Sequence, residues 1–339
     1  MTADVKAELD ARAGDVRAQK SRALLLRTIG ALVGLVALIV VVNILTHGNF
    51  LTVRNITNVL RQITFNSIAA VGQTFVIITA GIDLSVGSIM GLAGVVMALF
   101  ANAMPFDGVL LVVATLIVGV AVGCAAGFIN AVPVVKLNLP PFITTLAMLQ
   151  IARGLAYILA HGQPVPLASS AFNAIGTQAF LDRVPWSILV MIVIVAVFSI
   201  VLTRTRYGRY VFALGGNEEA ARLAGINVAR TKTLVYVISG GCAAVAGMLL
   251  MARFGSGSPQ TGTGYELQAI AAVVVGGTSL AGGRGSIIGT FFGALLIGVL
   301  NNVMNLLDIE SYTQQIVLGA VILFAVILDE LRKRYLARA

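Results

Sequence analysis

Apolar runs of membrane-crossing length follow one another from residue 24 to residue 329, and they confine this chain to one class of fold. A helix needs about 20 mainly apolar residues to cross a bilayer. Ten candidate runs lie near 24–45, 59–79, 86–103, 108–132, 139–160, 186–203, 234–252, 266–281, 285–307 and 314–329. The expectation is an all-α, polytopic integral membrane protein with about ten transmembrane helices. The third, eighth and tenth runs are short enough to be tilted, broken or re-entrant. With 58% hydrophobic and 11% charged residues, the chain has too little polar surface for a water-soluble domain.

Charge sets the expected orientation. Of the 23 Lys and Arg, six fall in 1–27, one is Lys136, six fall in 204–232, one is Arg284 and four lie in the C-terminal tail. Threading ten spans with the N-terminus inside puts all 18 of these in the cytoplasm. Arg54, Arg61, Arg153, Arg183 and Arg253 remain at or near outer ends. Arg61 and Arg153 are placed to snorkel outward from their helix ends. Cytoplasmic loops carry such an excess, which predicts N-in and C-in. The same bias accounts for the net charge of +9, so the cations give no reason to expect nucleic acid as a partner.

Three parts are expected: a cytoplasmic N-terminal tail at 1–22, a transmembrane domain at 23–331 and a cytoplasmic C-terminal tail at 332–339. The first apolar run lacks a small-residue cleavage site, so a cleavable signal peptide is not expected. Cys124 and Cys242 fall inside spans, where thiols behave as small hydrophobes. The outer loop at 161–185 spaces Phe172, Ile175, Phe180 and Leu181 among polar residues, which suggests a short interfacial helix.

Glycine recurs every fourth residue at Gly119, Gly123 and Gly127, and again at Gly285, Gly289 and Gly293. Such stripes let helix backbones meet, so both are read as helix-packing faces. The turn GIDLSVG at 81–87 sets a carboxylate at the expected cytoplasmic edge of two spans. Asp83 or Ser85 could cap the next helix. Alternatively, Asp83, Ser85 and Arg284 form a cytoplasmic gate in which Asp83 pairs with Arg284. The Gly-rich turn around Arg284 is not a P-loop, since no Gly-x-x-x-x-Gly-Lys-Ser/Thr occurs, and neither His47 nor His161 has partners at metal or triad spacing. An enzyme is therefore not expected, and no metal or cofactor is expected on this chain. Among the amides within spans, Asn66, Gln73, Asn130, Gln150, Asn301, Asn302 and Asn305 are candidates to line a translocation path. Uncharged amides avoid lipid and suit a neutral polyol better than an ion.

One polar island interrupts the apolar pattern: NEEAARLAGIN at 217–227, inside the basic loop at 204–232. Asn217 is a good N-cap, Glu218 and Glu219 suit the positive end of a helix dipole, and Gly225 is a natural stop. This predicts a short exposed helix near 217–225. Glu219, Ala220, Ala221 and Gly225 match the Glu-Ala-Ala-x-x-x-Gly signature of ABC importer permeases. Together with GIDLSVGSIMG and AIAAVVVGGTSLAGGRGSIIGTFFGALLIGVLNNVMNLL, the island closely resembles the ribose/xylose/galactoside permease family of bacterial ABC importers, from about residue 50 onward. The Ile-x-Leu-Pro found after this motif in other importer classes is absent.

The resemblance implies an importer-permease bundle in the bacterial inner membrane, translocating a neutral monosaccharide or polyol by alternating access. A second permease subunit, in a homodimer, and a periplasmic sugar-binding protein are the implied partners, with a cytoplasmic ABC ATPase carrying ATP and Mg. Asn217, Glu218, Glu219, Ala220, Ala221, Arg222, Leu223, Ala224 and Gly225 would be the ATPase-docking element, or coupling helix. The alternative from another class is a stand-alone secondary transporter of a small polar solute.

Overall fold

The computed structural model describes residues 40–44, 46, 48–180 and 184–338. The expected N-terminal tail and most of the first run lie outside the described residues. The described residues up to Ile56 belong to one compact unit and those from Thr57 onward to a second. In the first unit, Thr46 Oγ1 donates to Val42 O at 2.9 Å and accepts from Phe50 N at 3.2 Å, while Asn55 Nδ2 donates to Phe50 O at 3.0 Å.

Helices dominate the chain from Val53 onward: α1 (Val53–Ile78), α2 (Val86–Ala103), α3 (Val109–Lys136), α4 (Pro141–Leu159), α5 (Ser170–Thr177), α6 (Trp186–Arg204), α7 (Arg206–Gly216), α8 (Glu218–Leu223), α9 (Val228–Phe254), α10 (Tyr265–Val275), α11 (Ile287–Leu306) and α12 (Ser311–Arg338). Among the described residues, six helices are long and apolar enough to cross a membrane: α2, α3, α4, α6, α9 and α11. The chain is thus an α-helical, polytopic membrane protein. α12 runs through 332–338, which the sequence assigns to a tail.

Burial sorts the helices. In α9, 78% of the apolar window is buried, against 17% in α6, so α9 is a central post and α6 lies at the edge of the bundle. Ile192, Val193, Val197 and Ile200 of α6 are accordingly exposed, as expected where lipid is the solvent. α9 packs against both α2 and α3, and α10 packs against α11. Local chemistry sets the helix ends. Asn227 accepts from Arg230 N to open α9, and Gly255, at φ +65°, closes it with its N–H on Met251 O.

Glycines bring these helices into contact. A Cβ at Gly123 would overlap Gly240 O, and one at Gly240 would overlap Gly123 O, so α3 and α9 touch backbone to backbone. Gly127 meets Tyr236 O and Gly119 meets Met97. Gly289 faces Gly276, Gly293 faces Ala272 O, and Gly285 lies against Thr278 and Ile78.

At the end opposite α8, two short antiparallel ladders tie the loops. β1 (Val165–Pro166) pairs with β4 (Ser256–Gly257), and β2 (Ala179–Phe180) with β3 (Val184–Pro185). Asn102 Nδ2 donates to Pro166 O at 2.7 Å. Asp107 accepts from Ser169 Oγ at 2.6 Å and from Ser170 Oγ at 2.7 Å, and these bonds hold its carboxyl well below the usual carboxylate range. The expected helix in this loop is α5, capped by Ser169 and resting on the fully buried Phe172.

Candidate functional site: an exposed helix above two turns

α8 is built as a self-contained projection. Asn217 Oδ1 accepts from Ala220 N at 2.9 Å at its start. At its end Ile226 N donates to Ala221 O, Gly225 N donates to Arg222 O, and Gly225 takes φ +81°. This pair of bonds around a left-handed glycine is the Schellman closure, which a residue with a Cβ makes only under strain. Ala221 points inward and is buried, whereas Glu219, Ala220, Arg222 and Ala224 are exposed and Leu223 is 81% exposed. Glu218 turns back to Lys232 Nζ at 2.6 Å and lies 3.6 Å from Arg222. It therefore ties α8 to the first turns of α9 and leaves the opposite face open. A cleft of about 250 Å³ lies between this pair and the end of α3, lined by Val134, Asn138, Glu218, Arg222, Ile226 and Lys232.

The stem of α8 reaches two turns between helices. Gly215, two residues before the N-cap, has no room for a Cβ, because Ile78 O and Gly283 N occupy that position. Gly283 N in turn donates to Ile78 O at 2.9 Å. The last residue of α1, the turn before α11 and the approach to α8 thus meet at one point through backbone alone. On either side the chain is left-handed, at Ala80 (φ +58°), Gly282 (φ +84°) and Gly283 (φ +72°).

The α1–α2 turn is locked by its carboxylate. Asp83, fully buried, accepts from Ser85 N at 2.9 Å and Ser85 Oγ at 2.5 Å on Oδ1, and from Ser239 Oγ of α9 at 2.8 Å on Oδ2. Ser85 Oγ accepts from Asn130 Nδ2 of α3 at 2.8 Å, and Thr145 Oγ1 of α4 donates to Ile82 O at 3.1 Å. Three helices, α3, α4 and α9, therefore converge on one turn. The expected pairing of Asp83 with Arg284 is not formed: Arg284 is exposed, and the carboxylate is satisfied by hydroxyl and amide donors instead. Ser85 occupies the N-cap position of α2 without accepting a capping hydrogen bond on its side chain; the hydroxyl accepts from Asn130 instead.

The amides do not form one cluster. Asn66 and Gln73 of α1 are buried and a heptad apart on one face; Asn66 Nδ2 reaches Gln268 O of α10 at 3.4 Å. Among the described residues Asn66 Oδ1, both polar atoms of Gln73 and Asn130 Oδ1 have no hydrogen-bond partner. Asn302 is buried on α11, where Asn301 is half-buried. Gln150 is exposed on α4, and Asn305 is exposed and accepts from Gln314 Nε2 at 2.8 Å. The structure thus keeps Asn66, Gln73, Asn130 and Asn302 inside and places Gln150 and Asn305 on the surface. Among the described residues no group of three or more His, Cys, Asp or Glu is placed to hold a metal ion.

Residues 55–326 match the family described as the branched-chain amino acid transport system/permease component. The chain belongs to this permease family. It is 44% identical over 303 residues to the ribose import permease protein RbsC of Escherichia coli K12, covering 88% of this chain and 92% of that one. It is 41% identical over 286 residues to the L-arabinose transport system permease protein AraH of the same strain, covering 84% and 85%. With the fructose import permease protein FrcC of Rhizobium meliloti the identity is 37% over 306 residues, covering 88% and 84%. No solved structure matches. Family membership and the long apolar helices make it a multi-pass permease of the bacterial inner membrane, a transport subunit rather than an enzyme.

Hydropathy misses one part of this permease. The run at 266–281, expected as a span, is helical only from Tyr265 to Val275. An 11-residue helix is about 16 Å long, too short to cross alone. It is preceded by an unwound stretch, 255–264, which falls between two apolar runs and so carries no expectation of membrane depth. Arg153, expected to snorkel outward, instead donates its Nη1 to Pro259 O and to Thr261 O, the latter at 2.9 Å. The available signal was four glycines and a proline within GSGSPQTGTG just before an apolar run, a composition that breaks helices.

Proposed function

We propose that the chain is the membrane permease subunit of an ATP-driven importer of a neutral monosaccharide, a ribose-like pentose, a hexose or a polyol. The ribose, L-arabinose and fructose permeases among its relatives support this substrate class. The observation that carries the mechanism is the geometry of α8: an exposed, doubly capped helix whose stem, at Gly215, packs onto the turns at both Ile78 and Gly283. A short rigid helix of this kind suits a groove on a partner. In this reading residues 217–225 dock a cytoplasmic ABC ATPase that holds ATP and Mg, and closure of the ATPase pair is passed to the two turns. Asp83 and Ser85 then hold the cytoplasmic gate, with Arg284 on the neighbouring turn.

The assembly we infer has about ten spans per subunit with both termini inside, two copies of this chain and a periplasmic binding protein delivering sugar. The domain limits are a tail at 1–22, a permease domain at 23–331 and a tail at 332–339. ATP shifts the inward–outward equilibrium only by binding one arrangement of the docked ATPase more tightly. Asn66, Gln73, Asn130 and Asn302 serve as buried path residues, with Gln150, Asn301 and Asn305 at its margins. Co-purification of the tagged chain with its genomic neighbours tests the reading. Recovery of a P-loop ATPase stimulated by sugar-loaded binding protein is the expected result. A chain that purifies alone and transports without ATP is a secondary transporter and overturns it.

A further inference from the structure

The stretch 255–264 takes the chain into the bundle without a helix. A Cβ on Gly257 would strike Gly94 O and Ala98 of α2, while Gly262 and Gly87 meet backbone to backbone. The stretch therefore runs antiparallel to α2 past about 7–11 of its residues, a descent of about 10–16 Å at the helical rise. Unwound backbone at membrane depth persists only where protein buries it or where it lines a wet cavity.

Both conditions hold here, on opposite sides. On the inner side the backbone is packed and clamped: Gly262 lies against Gly87, Gly91 against the carbonyls of Pro259 and Thr261, and Arg153 binds those same two carbonyls. Successive turns satisfy part of the remainder, with Thr261 N on Ser258 O at 3.1 Å and Thr263 N on Gln260 O at 3.2 Å. On the outer side Gln260 and Thr263 are exposed. An amide and a hydroxyl on non-helical backbone are the wrong surface for lipid. At the foot of the stretch Glu266 Oε1 accepts from Gly264 N at 3.2 Å, while Oε2, buried beside Gly87, has no hydrogen-bond partner among the described residues.

We infer that residues 258–264 line the translocation path and form a hydroxyl-binding subsite for the passing sugar, with Gln260 and Thr263 as its polar contacts. The inference rests on the importer reading above. The ligand it takes is a neutral polyhydroxylated molecule, for which amide and hydroxyl groups are matched donors and acceptors. Arg153 acts as a positioning residue: it holds the unwound backbone and turns Gln260 and Thr263 outward.

Thiol accessibility in the assembled complex tests this. In a Cys124→Ala/Cys242→Ala parent reconstituted with its ATPase and binding protein, Gln260→Cys and Thr263→Cys are compared with Ile117→Cys, a position 63% exposed within the apolar run of α3. A charged, membrane-impermeant methanethiosulfonate is expected to modify the first two at least about tenfold faster, because a thiol in hydrocarbon holds its proton. D-ribose with nucleotide is expected to slow that modification. Rates equal to that of Ile117→Cys in every nucleotide state overturn the inference, as does modification that neither sugar nor nucleotide changes. Denatured samples give the total thiol, so loss of folding is not mistaken for protection. Sugar-stimulated ATPase activity of the parent is read in the same vesicles: if it is absent the importer reading fails, and if it is present without path labelling only the subsite fails.

Discussion

Gly225 and Asp83 show how single residues carry the coupling geometry. Gly225 sits at φ +81°, which proline, fixed near −65°, cannot reach. Gly225→Pro should therefore unravel the end of α8, and proteoliposome uptake should fall by about tenfold or more while the chain still inserts, since α8 lies outside the spans. Gly225→Ala, which strains the turn by about 1–2 kcal/mol, should give an intermediate loss. Asp83 receives three hydrogen bonds from two serines, one of them 156 residues away. Asp83→Ala leaves buried donors unpaired and should cost about 2–4 kcal/mol, visible as a lower melting temperature in detergent. Asp83→Asn retains an acceptor for Ser85 and should lose less. The sequence marks Asp83 as a costly carboxylate needing a partner, yet pattern alone cannot choose Ser239 over Arg284. Charge complementarity favours the arginine; packing of α9 against the turn delivers the serine.

Elements differ in how far they can be read from sequence, and the reason is physical. α2, α3, α4, α6, α9 and α11 are long apolar runs whose hydropathy survives any tertiary context. The segment 255–275 is half polar and unwound before α10, so hydropathy reports only its helical part. Its unwound half is stabilised by contacts far off in sequence, Arg153 being 106 residues from Pro259. α8 is legible because caps are local chemistry: Asn217 and Gly225 announce a short helix whatever surrounds it. The clamp gives the prediction at this scale. Arg153→Ala removes two charge-assisted hydrogen bonds, together worth roughly 3 kcal/mol, and should reduce uptake by about tenfold or more. Arg153→Lys, a point charge on a single ammonium, should restore only part of it. Limited proteolysis near 258–264 should rise in the alanine variant, and unchanged cleavage would argue against the clamp.

For the whole molecule, two inner turns hang from one junction. Ile78, Gly215 and Gly283 meet through backbone contacts that leave no room for side chains, so a displacement of α8 is felt by the α1–α2 turn and by the turn before α11. Close-packed contacts of this kind transmit shifts rather than absorb them. The family match across residues 55–326 shows that the membrane core is that of a transport permease. The question left to the mechanism is what drives it. Uptake of labelled D-ribose into vesicles holding the full complex decides between the sources of energy. Uptake is expected to require ATP on the side bearing α8, to be lost in Gly225→Pro and to persist when proton and sodium gradients are collapsed. Uptake without ATP that rises and falls with an ion gradient would contradict that expectation.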